Sequence, residues 1–255
     1  MDPWTAYPYD PAEYALTGEA LRMRWGRLHQ GDAEPLPPAE AVLDAWALFH
    51  AGRYEAAFEA GLAAGSAGVT VANKAQAIHA NYLERREKTR HAMLLQVAER
   101  AAALQRIEPT NANAFYWQAY AIGRYSQGIS VAKALAQGLG GQVKVALEAT
   151  IALAPRHADA HIALGAFHAE VIDKVGRGLG RTQGADAATG LKMYREALKL
   201  NPTSAIARVE YAQGLLMLEG PRKMREAETL YAEATACVPM DATERLHVEI
   251  ARSGL

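Results

Sequence analysis

The chain has 255 residues, half of them hydrophobic, with 27 Lys and Arg against 28 Asp and Glu and a net charge of −1. That balance excludes the clustered cations of a phosphate-binding nucleic-acid footprint, so no nucleic-acid partner is expected. The single cysteine, Cys237, excludes an intrachain disulfide framework and a Cys-rich zinc site, and it points to a reducing compartment.

The start, Met-Asp-Pro-Trp, has neither a basic nor an apolar targeting segment, and no run reaches the roughly 18 apolar residues of a membrane span. The expectation is a soluble, cytoplasmic protein without membrane insertion. Residues 1–10 (MDPWTAYPYD) hold two prolines and three aromatics and read as an extended arm. Trp4, Tyr7 and Tyr9 either dock into a groove of their own chain or of a neighbour, or belong to a loosely packed terminus. Residues 11–29 read as helical, with Pro11 in the first turn, where its missing N–H costs nothing. The breaker-rich stretch 31–38 follows. From Ala39 the pattern becomes regular: a helix to Ala51, a turn at Gly52-Arg53, and a helix from Tyr54 to about Ala64. A longer pair follows, from Thr70 to Glu84 and from Glu87 to Ile107, with Pro109 as the stop. No stretch alternates with the period of two that a strand requires.

Spacing carries the second half. Pro109, Pro155 and Pro202 stand 46 and 47 residues apart, each between an Ala/Leu-rich helix and the next, and Pro239 follows 37 later. Periods of this length mean stacked helical hairpins. Leu164-Gly165, Ala197-Leu198-Lys199-Leu200-Asn201-Pro202 and Gly52-Arg53-Tyr54 with Ala57 resemble the tetratricopeptide repeat family over residues 39–240. The match is degenerate at 70–107, and the two middle units exceed the usual 34-residue repeat by about a dozen residues. The extra residues fall at 128–140 and 173–189, an arrangement similar to the T-component proteins of TRAP transporters and, more distantly, to the regulators of microtubule dynamics. The resemblance implies an all-α, right-handed superhelical array of helical hairpins. Its expected division is an arm and helix at 1–38, hairpins at about 39–65, 70–107, 111–154, 157–200 and 204–238, and a capping helix at 241–255.

A helical wheel assigns duties within that array. At 100° per residue, Phe115, Ala119, Ile122 and Ser126 share one stripe, while Tyr116, Tyr120, Gly123, Arg124 and Gln127 share another. The first should pack within the hairpin and the second should line a concave groove, continued one and two repeats on by Glu170 and Gln213. Two tyrosines and an arginine suit an extended peptide or amphipathic helix. Against this stands a plainer reading, in which Arg124 pairs with Glu170 and the tyrosines pack on a neighbouring helix.

Other signals are weaker. The glycines and cations of the inserts (Lys133, Gly138, Gly140, Gly141; Lys174, Gly176, Arg177, Gly178, Gly180, Arg181) could hold an anion at a helix N-terminus, but no phosphate-loop or dinucleotide pattern accompanies them. Val131 to Leu135 is apolar enough for a short helix. His157, His161 and His168 share an arc, yet eleven residues of helix span about 16 Å, so His157 and His168 cannot share an ion and all three read as structural. No nucleophile elbow, metalloprotease motif or framed carboxylate pair is present, so no enzyme, metal or cofactor is expected. The expected function is a non-enzymatic module that binds a protein or peptide. The alternative is a small-ligand carrier or transporter-associated component with a pocket bounded by the inserts. Oligomeric state is not encoded legibly.

Overall fold

The computed structural model describes residues 4–254; Met1 to Pro3 of the expected arm and Leu255 of the expected cap lie outside the described residues. Among the described residues there are helices and no strands, which makes the protein an all-α helical repeat array. None of these helices is long and apolar enough to cross a membrane. By its contacts the chain divides into two units, one of residues 1–29, 34–130 and 240–243, the other of 30–33, 131–239 and 244–255.

Unit one holds a short 3-10 helix (Pro11–Tyr14) and the helices α1 (Gly18–Leu28), α2 (Glu40–His50), α3 (Tyr54–Ala63), α4 (Val69–Tyr82), α5 (Glu87–Ile107) and α6 (Ala112–Gln127). From α2 onward each helix packs on the next, and α4 also touches α2 and α6. Residues expected to be one helix at 11–29 are thus split between the 3-10 turn and α1. The α2–α3 turn depends on Gly52, whose φ of +78° disfavours any side chain and whose Cα faces the Tyr7 ring so closely that a Cβ would lie 2.7 Å from it.

The central helix of this unit is α4, buried at every position from Thr70 to Ala80. A helix surrounded on all sides is normally apolar, yet α4 carries Asn73, Lys74, Gln76 and His79 inside. Two neighbours compensate. The guanidinium of Arg100 on α5 donates to Asn73 Oδ1 at 2.7 Å and Gln76 Oε1 at 2.5 Å, and Gln76 Nε2 donates to Gln96 at 2.7 Å. The Lys74 ammonium sits 5.4 Å and 5.0 Å above the rings of Trp46 and Phe49. Burial brings the Arg100 pKa down to about 10. This polar interior explains why the 70–107 hairpin matches the repeat pattern so poorly.

Unit two holds α7 (Val131–Ala136), α8 (Leu139–Leu153), α9 (Ala158–Thr182), α10 (Ala187–Leu200), α11 (Ala205–Glu219), α12 (Met224–Thr235) and most of α13 (Ala242–Ser253). Its core is built around Tyr194, which is 1% exposed and stacked on Tyr211 at 5.3 Å. The ring fits because two glycines face it: a Cβ at Gly165 would lie 3.0 Å from the ring and one at Gly214 2.5 Å. The Leu164-Gly165 pair thus marks a real packing requirement. Val248 and Ala251 of α13 pack on Ala205, Val209 and Ala234.

The inserts take different forms. Val131 to Ala136 is the short helix α7, none of whose residues is buried. The segment 173–182 continues α9 across a break at Gly176, where φ is 78° and ψ 163°. Past the break, Arg177 Nη2 donates to the Leu218 carbonyl at 2.6 Å and satisfies an orphan acceptor near the end of α11. Asp186 then caps α10 by accepting from Thr189 N at 2.8 Å.

Candidate functional site

The four α6 residues expected in the groove lie in unit one, along one side of a helix that α5 and α4 flank. Asn111 starts this helix by accepting from Ala114 N, and Gln105 Nε2 fastens it to α5 through Ala114 O and Gln118 Oε1. Its two faces do not divide as the wheel suggests. Tyr116 is 5% exposed, with its ring centroid 4.9 Å from that of Trp117 and 6.1 Å from that of Tyr120, whereas Phe115 is half-buried. A helix with packed neighbours on two sides buries residues from both stripes, so Tyr116 acts as packing. Tyr120 and Arg124 are half-buried and Gln127 is exposed. The Arg124 guanidinium lies 5.3 Å from the Tyr120 ring centroid and donates to Gln127 Oε1 at 3.3 Å. Glu170 and Gln213 belong to unit two, where Glu170 pairs with Lys174 at 3.6 Å and Gln213 Nε2 donates to the Tyr231 hydroxyl at 3.1 Å.

The arm is seated on unit one. Trp4 N–H donates to Glu55 Oε2 at 3.3 Å, and its indole lies 5.2 Å from the Phe58 ring and 4.5 Å from the His79 imidazole. Tyr7 is buried against Tyr54 and the Gly52 turn. Of the readings of the arm, the structure shows Trp4 and Tyr7 docked into their own chain. The sequence contained the anchors, Trp4 and Tyr7, without their receptor.

A second cluster escaped the sequence altogether. His50, fully buried on α2, donates through Nδ1 to Asp241 Oδ2 at 2.8 Å, and its Nε2 lies 3.2 Å from His29 Nε2. Two residues on, the Thr243 hydroxyl meets the Tyr54 hydroxyl at 3.0 Å, and burial raises the Tyr54 pKa well above its usual value. The partners are 191 and 189 residues apart, so no local pattern could announce them. Asp241, the first residue of the expected capping helix, directs its carboxylate to this histidine. The arrangement holds residues 240–243 on unit one.

The three histidines of α9 make backbone bonds. His157 Nδ1 accepts from Ala160 N at 3.0 Å and caps the helix, while His161 Nδ1 donates to His157 O at 3.0 Å. His168 Nδ1 accepts from Asp186 N at 3.1 Å, and burial, seconded by the Lys144 charge, lowers its pKa. Protonating that nitrogen would remove the acceptor. An open apolar cavity of about 430 Å³ lies in unit one between the 3-10 helix and α2, lined by Pro11, Leu16, Ala47 and Leu48 with Asp44 and Arg53 at its sides. Insert residues do not line it.

No protein-family profile matches the sequence, and no curated protein does. Among solved structures the chain is similar to TTC0263, a thermophilic TPR protein of Thermus thermophilus, at 17% identity and a TM-score of 0.60, over 84% of this chain and 97% of that one. At that identity the likeness establishes the fold, a tetratricopeptide-like array of helices.

Proposed function

We propose that the protein is a non-enzymatic interaction module that takes up a partner peptide or helix, with Tyr120, Arg124 and Gln127 of α6 as its anchor. The observation that carries this reading is the arrangement of Arg124, its guanidinium laid over the Tyr120 ring and held by Gln127 at the solvent-facing end of a helix flanked by α4 and α5. Such a fork is pre-organised, so it loses little rotamer freedom when it meets a carboxylate or a backbone carbonyl. Tyr116 and Trp117 fix the Tyr120 ring from below and keep the anchor in place when a ligand is absent.

The test is panning of a displayed random-peptide library against the full chain. A peptide family should emerge whose binding the Tyr120→Ala/Arg124→Ala variant loses. Removing a charged hydrogen-bond donor costs about 1.5–3 kcal/mol, a weakening of roughly 10- to 150-fold. Peptides that bind both proteins equally, with unchanged circular dichroism, would remove α6 from the proposal.

A further inference from the structure

The seat of the N-terminal arm is lined by side chains of three helices. Its residues lie on α3, α4 and α5 and do not include the α6 anchor. Glu55 and Phe58 of α3 and His79 of α4 meet around Trp4: the Phe58 and His79 rings lie against its indole, Glu55 accepts its main-chain N–H, and the Arg100 guanidinium of α5 lies 5.2 Å from the Phe58 ring centroid behind them. Three residues along the arm, Tyr7 fills the space that Gly52 leaves open. Between the two anchors Thr5 and Ala6 are exposed, so the arm is seated through the rings of Trp4 and Tyr7 and through its main chain, including the Trp4 N–H. That is how a groove reads an extended peptide, with main-chain bonds for attachment and pockets for spaced side chains.

The fit is incomplete at one place. His79 is 1% exposed, and neither of its ring nitrogens makes a hydrogen bond of regular geometry among the described residues; the backbone of Thr5 in the arm supplies only a loose one. Nearly all buried polar groups find a well-formed partner, so an imidazole held only loosely by the segment above it marks a place that a different occupant would complete better. Burial accordingly lowers the His79 pKa, and the ring is neutral, with one donor and one acceptor to offer.

From these observations we infer that α3, α4 and α5 form a receptor for an extended peptide carrying a tryptophan followed three residues later by a tyrosine, and that the arm is its resident competitor. A ligand with the same anchors and a polar group well placed beside the tryptophan satisfies His79 better than the Thr5 backbone does. The carboxylate of Glu55 sets a second preference: it accepts a main-chain N–H or ammonium group and repels an acidic residue next to the tryptophan. Being tethered, the arm holds its site at an effective concentration in the millimolar range, so only ligands that bind better than the arm displace it.

The probe is a fluorescent heptapeptide with the sequence of residues 4–10, followed by anisotropy. The full chain carrying Trp4→Ala should bind it about tenfold or more tighter than the native chain does, because the competitor has lost its main anchor. Adding Phe58→Ala should abolish the gain, as should replacing the peptide's tryptophan by alanine. On the native chain, excess unlabelled peptide should raise deuterium uptake in residues 4–9 while α3 and α4 stay protected, a readout that needs no variant. Equal binding to both chains, or no binding to a folded Trp4→Ala chain, would overturn the inference. So would a concentration-dependent dimer of the native chain that Trp4→Ala abolishes, since the occupant would then be the arm of a second copy.

Discussion

Gly214 sits in mid-helix, where alanine is normally favoured by about 1 kcal/mol, so Gly214→Ala would stabilise an isolated α11. The tertiary structure reverses the sign. A Cβ at this position would lie 2.5 Å from both Cε2 and the hydroxyl oxygen of Tyr194 and 2.7 Å from its Cζ. The ring has no room to retreat, because Gly165 contacts it as well, Tyr211 stacks on it, and it is 1% exposed. Overpacking costs about 1–3 kcal/mol, and two 2.5 Å approaches to a ring that cannot move put this case in the upper part of that range, so after the helix propensity is subtracted a net loss of about 1–2 kcal/mol is expected. For a chain of this size that lowers Tm by about 2–8 °C. The decisive measurement is a double-mutant cycle by urea denaturation followed by circular dichroism. Tyr194→Ala alone should cost about 3–5 kcal/mol, and in that background Gly214→Ala should turn stabilising by about 0.5–1 kcal/mol. If Gly214→Ala stabilises the native chain, or if the two changes are additive, Tyr194 is not wedged between the helices and the account of this core fails.

Two further outcomes follow from the buried polar groups. His79 and His168 both have pKa values lowered below the usual 6.5 by burial, so below that pH the unfolded chain binds protons that the folded chain refuses, and stability falls as pH drops from 7 toward 5. Glu84, held at about 2 by Arg86 from the usual 4.5, adds a loss of the same sign as pH falls through that lower window; thermal melts across pH should show both windows, and a flat profile between 7 and 5 would contradict the histidine assignment. Asp241→Ala removes the carboxylate partner of buried His50 and should cost about 1.5–3 kcal/mol, with faster amide exchange at residues 240–243; unchanged exchange there would show that Thr243 and the neighbouring contacts hold the segment alone.

Residues with local consequences were legible in the sequence. Helix boundaries follow from prolines, caps and apolar spacing, and the helical arrays around Pro109, Pro155 and Pro202 follow from their period, because each signal acts within a few residues of the chain. Gly165 was recognisable as a repeat position, although the ring it admits was not. On α6 the sequence could place Tyr116 and Tyr120 side by side on one stripe but could not say that Tyr116 is covered, since its exposure depends on how closely α4 and α5 approach.

What the sequence determined by itself is therefore the all-α class, the repeat period and the chemical types along each helix face, all of which depend on periodicities of the backbone. What only the tertiary structure decided is which polar residues go inside and what they meet there: Arg100 with Asn73 and Gln76, His50 with Asp241, and Trp4 on Phe58 and His79. These pairings join residues 24 to 191 positions apart. Nothing local selects among such partners, because the burial that makes a hydrogen bond or a ring contact worth forming exists only after the helices have packed.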